Sequence, residues 1–284
     1  MPASPLGGPN HPAQDNWAVL WFRQHRDEAD AGRVNAVAGA VLDGRDIVVA
    51  AGSGGIAVWD PADGERLTSW QVTLGREDAP TLLAVVDSVS DPVAVTGNSK
   101  GLVRVWELRT GLPRQEPLYD LGHRVVGLAA AALDDRVLAL VTAGRWAHSI
   151  YDWGTDGGAE VWDVQERRRL RVLRHSWTTT AVALVPFGGR ACAAVAAYEM
   201  DPAAPWSPYP EDAQFDDIIV SLAVFDALTG EPLGPVTELG RNCPTKALTL
   251  SEVSGRLHAF AAADGRGLQV VDVAAGQVLP GPVG

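Results

Sequence analysis

Residues 54–67 read GGIAVWDPADGERL, and the phrase returns four more times along the chain. Counted from Trp59, it holds a glycine five residues back, an apolar residue three back, the triplet Val58-Trp59-Asp60, a glycine five on and a leucine eight on. Its counterparts centre on Trp106 (Gly101, Val103, Gly111), Trp162 (Gly157, Ala159, Leu170), Phe225 (Leu222, Gly230, Leu233) and Val271 (Leu268, Gly276, Leu279). Five copies of one metre describe an internal repeat. Each copy is then one supersecondary unit that buries its apolar faces against its neighbours.

Each unit holds three apolar stretches and then a turn, as in 34–41, 47–51, 56–60 and 66–72 of the first copy. The anchor positions 59, 106, 162, 225 and 271 are 47, 56, 63 and 46 residues apart. A basic period of about 46 falls near that of propeller blades built from four antiparallel strands. Consecutive apolar residues such as Val58 and Trp59 predict a strand covered on both faces. The glycine five residues on sits where a hairpin turns through positive φ, which glycine adopts without steric cost. Gly64, Gly111, Gly230 and Gly276 keep it, whereas the third copy has Arg167, which predicts a tighter, bulged or differently shaped turn.

These phrases resemble WD-repeat β-propeller blades over about residues 33–284. Val58-Trp59-Asp60, Val105-Trp106-Glu107 and Val161-Trp162-Asp163 stand as the eponymous dipeptides. Copies four and five depart from the pattern, reading Val224-Phe225-Asp226 and Val271-Asp272, and the Gly-His pair that opens many family repeats occurs once, as Gly122-His123. The buried polar network of such repeats is therefore expected to be incomplete. A quinoprotein-like propeller is the rival resemblance, on Asp226-Ala227-Leu228-Thr229-Gly230. The WD type accounts better for the Gly-x-apolar-x-Val-Trp-Asp/Glu strand, present three times.

The resemblance implies an all-β fold, a single β-propeller of four-stranded antiparallel blades, and a role as a scaffold for protein complexes. Fold alone does not fix function. Residues 1–32 are too few for a further blade, so the chain closes as a five-bladed ring or leaves a gap. The closed ring is the favoured reading. A gap would be filled by the N-terminal segment, a partner or a second copy, and self-association would follow in the last case.

With 284 residues, 46% of them hydrophobic, the chain can bury a sizeable core. It has no run of about 18 apolar residues and no secretory signal, so no membrane association and a cytoplasmic location are expected. Cys192 and Cys243 are too few for a disulfide framework and show no zinc spacing, which reads as two reduced, mostly buried thiols. A net charge of −12 would repel a phosphate backbone, so no nucleic acid is expected as a partner.

Residues 1–14, rich in Pro and Gly, read as a disordered arm. In residues 15–32, Trp17, Leu20, Trp21 and Gln24 share one helical face with Asp15 as an N-cap, while 18–22 would equally make an extra strand. Either way the two tryptophans need burial against the domain, 33–284.

Excess length gathers between the second and third strands of copies three and four, in 144–158 (GRWAHSIYDWGTDGG) and 198–217 (YEMDPAAPWSPYPEDAQFDD). In a propeller these connections emerge on one face, and the link 174–177 joins them there. Together they bring Trp146, Tyr151, Trp153, Trp177, Tyr198, Trp206, Tyr209 and Phe215 into one neighbourhood, with Asp152, Asp156, Glu199, Asp201, Glu211, Asp212, Asp216 and Asp217. Those eight carboxylates against Arg145 amount to −7 of the chain's −12.

Aromatic side chains supply rigid contact area, and carboxylates select cationic or hydroxyl-rich partners. The same residues would also serve a loop that needs a mini-core and solubility. The expectation is a non-catalytic scaffold binding a protein or basic peptide through Trp146, Tyr151, Asp152, Trp153, Trp177, Glu199, Asp201, Trp206, Tyr209 and Asp216. The alternative is a ligand binder or small-molecule enzyme on the same rim, cyclase/lyase or glycosidase-like, with His148, His175, Asp152 and Asp217 as catalytic candidates. No motif pairs these four. Asp212, Asp216 and Asp217 lack the spacing of a calcium loop, so no metal and no cofactor are expected. Arg167, Arg168, Arg169, Arg171 and Arg174 would protect a sheet edge.

Overall fold

The structure, a computed structural model, describes residues 34–68, 78–87, 90–114, 117–120, 123–143, 158–174, 178–200, 218–241, 244–263 and 266–280. The expected arm 1–14 and segment 15–32 lie outside the described residues. Among the described residues all regular structure is β, in five antiparallel sheets, and no helix is long and apolar enough to cross a membrane.

The first sheet contains β1 (Val34–Leu42), β2 (Arg45–Gly52) and β3 (Gly55–Trp59); the second contains β4 (Pro80–Val86), β5 (Val93–Asn98), β6 (Leu102–Glu107) and β7 (Tyr119–Asp120). The third has β8 (Val125–Leu133), β9 (Arg136–Ala143), β10 (Gly158–Asp163) and β11 (Arg168–Arg174). The fourth has β12 (Thr178–Phe187), β13 (Arg190–Met200), β14 (Ile218–Asp226) and β15 (Thr237–Arg241). The fifth has β16 (Thr245–Val253), β17 (Arg256–Ala263), β18 (Gly267–Asp272) and β19 (Gln277–Leu279). Within each sheet every strand pairs with its neighbour in sequence, so each sheet is an up-and-down meander. The outer stretch of the first copy begins at the bridge Trp59 to Arg66, and 69–77 lie outside the described residues.

The repeat extends into details that apolar spacing does not encode. Each first strand carries a register shift near its start, at Val34/Ala36, Pro80/Leu82, Val125/Gly127, Thr179/Ala181 and Thr245/Ala247. Such bulges strengthen local twist, so the five sheets share one curvature device. The turn after the anchor strand is also shared. Gly64, Gly111, Gly230 and Gly276 have φ of 75°, 70°, 78° and 63°. Arg167 has φ 52° and Trp162 pairs with Arg169, the same seven-residue step as Trp59 to Arg66 and Phe225 to Pro232. The third turn therefore keeps the same step, because Arg167 itself takes the left-handed conformation, and its hairpin is bulged, one of the expected forms, with a register shift between Val161 and Trp162.

Packing runs from each sheet to the next. First strands lie side by side, β1 on β4, β4 on β8, β8 on β12 and β12 on β16. Ile47, Val49, Ile56 and Val58 of the first sheet pack on Ala94, Trp106 and Leu108, while Val93, Val95, Val103 and Val105 of the second pack on Val137, Ala139, Val141 and Trp162. The third packs on the fourth and the fourth on the fifth in the same manner. Each fully buried Val, Ile or Leu contributes roughly 1.5–3 kcal/mol, which makes these layers the main source of stability. The anchor strand is covered on both faces as expected, except in the fifth sheet, where Leu268 is 63% exposed.

Candidate functional site

The long connections spring from one end of the third and fourth sheets. Ala143 and Gly158, which bracket 144–157, stand beside Arg174, the last residue of β11 and the partner of Gly158. Met200 pairs with Ile218 at the corresponding end of the fourth sheet, bracketing 201–217, and Thr178 pairs with Tyr198 next to them. Because β8 packs on β12, the bases of the three segments are neighbours.

Trp146, His148, Tyr151, Asp152, Trp153, His175, Trp177, Asp201, Trp206, Tyr209, Asp216 and Asp217 lie outside the described residues. Three residues assigned to the second loop, Tyr198, Glu199 and Met200, belong to a strand instead. Tyr198 and Glu199 extend β13, paired with Val220 and Ile219, and Tyr198 packs against the core between the fourth and fifth sheets. The apolar run 191–197 carries the strand pairing on through them.

The same end of the sheets is also cationic. Lys100, Arg124, Arg174, Arg241, Lys246 and Arg266 are all exposed there, at the starts of first or third strands or the ends of outer ones. Lys100 reaches Asp78 at 3.3 Å. The strand ends that bracket the acidic connections thus share their end of the sheets with a set of cations, a pattern invisible in sequence because its members are spread over all but the first copy.

A second constellation repeats at the opposite end. The anchor aspartate accepts backbone N–H groups of its own turn through Oδ1, from Ala62 to Asp60 at 2.8 Å, Glu166 to Asp163 at 2.9 Å, Leu228 to Asp226 at 2.9 Å and Ala275 to Asp272 at 3.1 Å. Its other oxygen faces an arginine that opens the second strand: Arg45 at 2.7 Å, Arg136 at 3.9 Å, Arg190 at 4.0 Å and Arg256 at 3.4 Å. The aspartates are buried and the arginines exposed, so the turn hydrogen bonds dominate and the ion pair offsets a buried charge. At Asp272 the Ala275 N–H, aided by the Arg256 and His258 charges, holds the carboxyl below its usual value.

Between two of these pairs lies a cavity of about 740 Å³ lined by Phe187, Arg190, Cys192, Leu233, Arg256 and Val273. It opens at the hairpin end of the fourth and fifth sheets, away from the long loops. Cys192 is a free, buried thiol whose pKa is pushed up to about 11 by burial and by Asp226, against the pull of Arg190. The raised value disfavours the nucleophilic thiolate; Cys192 is buried as expected, and Cys243 lies outside the described residues. Among the described residues no group of three His, Cys, Asp or Glu side chains is placed to hold a metal ion.

No protein-family model matches the chain, and no curated protein does. Among solved structures, the chain is similar to the computationally designed Ika4 protein, with a TM-score of 0.44 and 19% identity over 74% of this chain and 99% of that one.

Proposed function

We propose that the chain is a five-bladed β-propeller of the WD type that works as a non-catalytic, cytoplasmic interaction module. Its partner is held by the aromatic and acidic connections 144–158 and 198–217. The observation that carries this reading is the placement of the loop bases, Ala143 and Gly158 beside Met200 and Ile218, at one end of two packed sheets. Five meanders of one design, stacked first strand to first strand, support the blade reading. Trp146, Trp153, Trp177 and Trp206 supply contact area, and the carboxylates favour a partner rich in Arg or Lys.

A labelled oligo-arginine peptide, with oligo-glutamate as control, tests the chemistry by fluorescence anisotropy. The expected result is binding of the cationic peptide alone, weakened by salt. Trp153→Ala with Trp206→Ala should abolish it while the thermal midpoint stays within a few degrees. Equal binding of both peptides, or full binding by the double variant, would reject the reading.

A further inference from the structure

In every sheet one register faces the next sheet. The positions of Ile47, Val49 and Val58 in the first sheet correspond to Cys192, Ala194 and Val224 in the fourth, and all are covered by the following sheet. In the fifth sheet the equivalent positions are His258, Phe260 and Val270, with Ala262 and Leu268 one pair further along and Leu279 beside Val270. Leu268 is 63% exposed, Leu279 is exposed, and Phe260, Ala262 and Val270 are half-buried. An apolar sheet face of the kind that four other sheets cover is here open.

The first sheet would be its neighbour in a ring. Among the described residues, however, no packing like that between the other successive first strands joins β16 to β1. The facing side of the first sheet is nonetheless buried. Val48, Ala57 and Trp59 form a cluster of their own with no member from another described sheet, and Arg66 of the same sheet reaches over the Trp59 ring.

We propose that residues 15–33 supply the missing layer between the fifth and first sheets, with Trp17, Leu20, Trp21 and Phe22 seated on the Phe260–Leu268–Val270 face and against Trp59. Three features favour this occupant. The segment leads directly into Val34, where β1 begins, so it enters the fold at the edge of the first sheet. Residues 17–22 read WAVLWF, the one uninterrupted apolar run in 1–33. The eleven residues 23–33 reach up to about 36 Å when extended, several times the roughly 10 Å spacing of packed layers. The exposed positions it would meet, Ala247, Leu268 and Leu279, are uncharged.

The test is limited trypsin digestion at Arg23 and Arg26 of the full chain. A seated segment is cut slowly, and Leu268→Asp should speed cleavage there by roughly tenfold or more, since it puts a charge into the seat. Leu112→Asp, at a similarly exposed apolar residue in the second sheet's turn, should leave the rate unchanged. Deleting 1–33 should abolish any effect of Leu268→Asp on the thermal midpoint; if that deletion fails to fold, the digestion rates decide. Equal cleavage of wild type and Leu268→Asp, equal acceleration by Leu112→Asp, or a dimer mass that Leu268→Asp converts to monomer would overturn the proposal. The dimer would assign the face to a second copy.

Discussion

Replacing Trp106 tests the stacking of sheets at its best-defined contact. The side chain is fully buried at 0% exposure among Ile47, Val49, Ile56 and Val58 of the first sheet, and its indole Nε1 donates to Thr96 Oγ1 at 2.8 Å. Trp106→Ala removes a large apolar volume, at about 3–5 kcal/mol, and leaves the buried Thr96 hydroxyl without its donor, at about 1–3 kcal/mol. Against a total stability on the order of 5–15 kcal/mol this is a large fraction. The hydrogen bond is separated from the volume by a cycle. Trp106→Phe and Thr96→Val each strand one partner and should each cost about 1–3 kcal/mol beyond any volume change, whereas the double variant strands neither. Urea unfolding monitored by circular dichroism, with the slope m held constant across variants, gives the four values. An alanine variant that loses less than about 1 kcal/mol, or single changes that simply add, would refute both the burial and the bond.

Other substitutions probe single joints. Gly234 lies where an added Cβ would run into the Val273 carbonyl oxygen, so Gly234→Ala should destabilise by about 3 kcal/mol or more, seen as a fall in the urea midpoint. Ser254 holds φ 52° ahead of Gly255 at φ 77° in the two-residue turn joining β16 and β17. Asn suits that turn better, so Ser254→Asn should raise stability by about 0.5 kcal/mol in the same assay. The depressed carboxyl of Asp272 contributes stability that is present above its ordinary pKa of 3.8 and is lost as pH falls through the lower folded value. Asp272→Asn should therefore flatten the stability curve below about pH 4, and an unchanged acid limb would contradict the Ala275 hydrogen bond.

The strands were legible because burial on both faces leaves a dense signature. Val-Trp-Asp can hardly be anything but a covered strand followed by a turn, and the glycine five residues later marks that turn by its φ. Arg167 shows the limit of the rule. Glycine is favoured at that point but not required, since a left-handed residue elsewhere costs only about 1–2 kcal/mol, which the surrounding hairpin can supply. The second loop was read three residues too long for a related reason. Tyr198 and Glu199 resemble the aromatic and acidic loop that follows, but the strand pairing carries through them before the chain leaves the sheet.

The arginine that faces each anchor aspartate escaped sequence reading for a geometric cause. It precedes its aspartate by 15 residues in the first copy, 27 in the third, 36 in the fourth and 16 in the fifth, because the connection between the second and third strands varies while the register across them does not. A linear metre cannot hold a spacing that a loop is free to change. The second copy shows that the site, rather than the residue, is what persists. Asp91 stands near the start of β5 where the others have arginine, the anchor is Glu107, and Arg114 from the outer side bridges the two at 3.1 and 3.7 Å. One positive group per turn is kept although its origin in the chain has moved. The loops 144–157 and 201–217 can therefore lengthen without disturbing the core, since everything that fixes the two strands lies in the register and at the opposite end of the sheet.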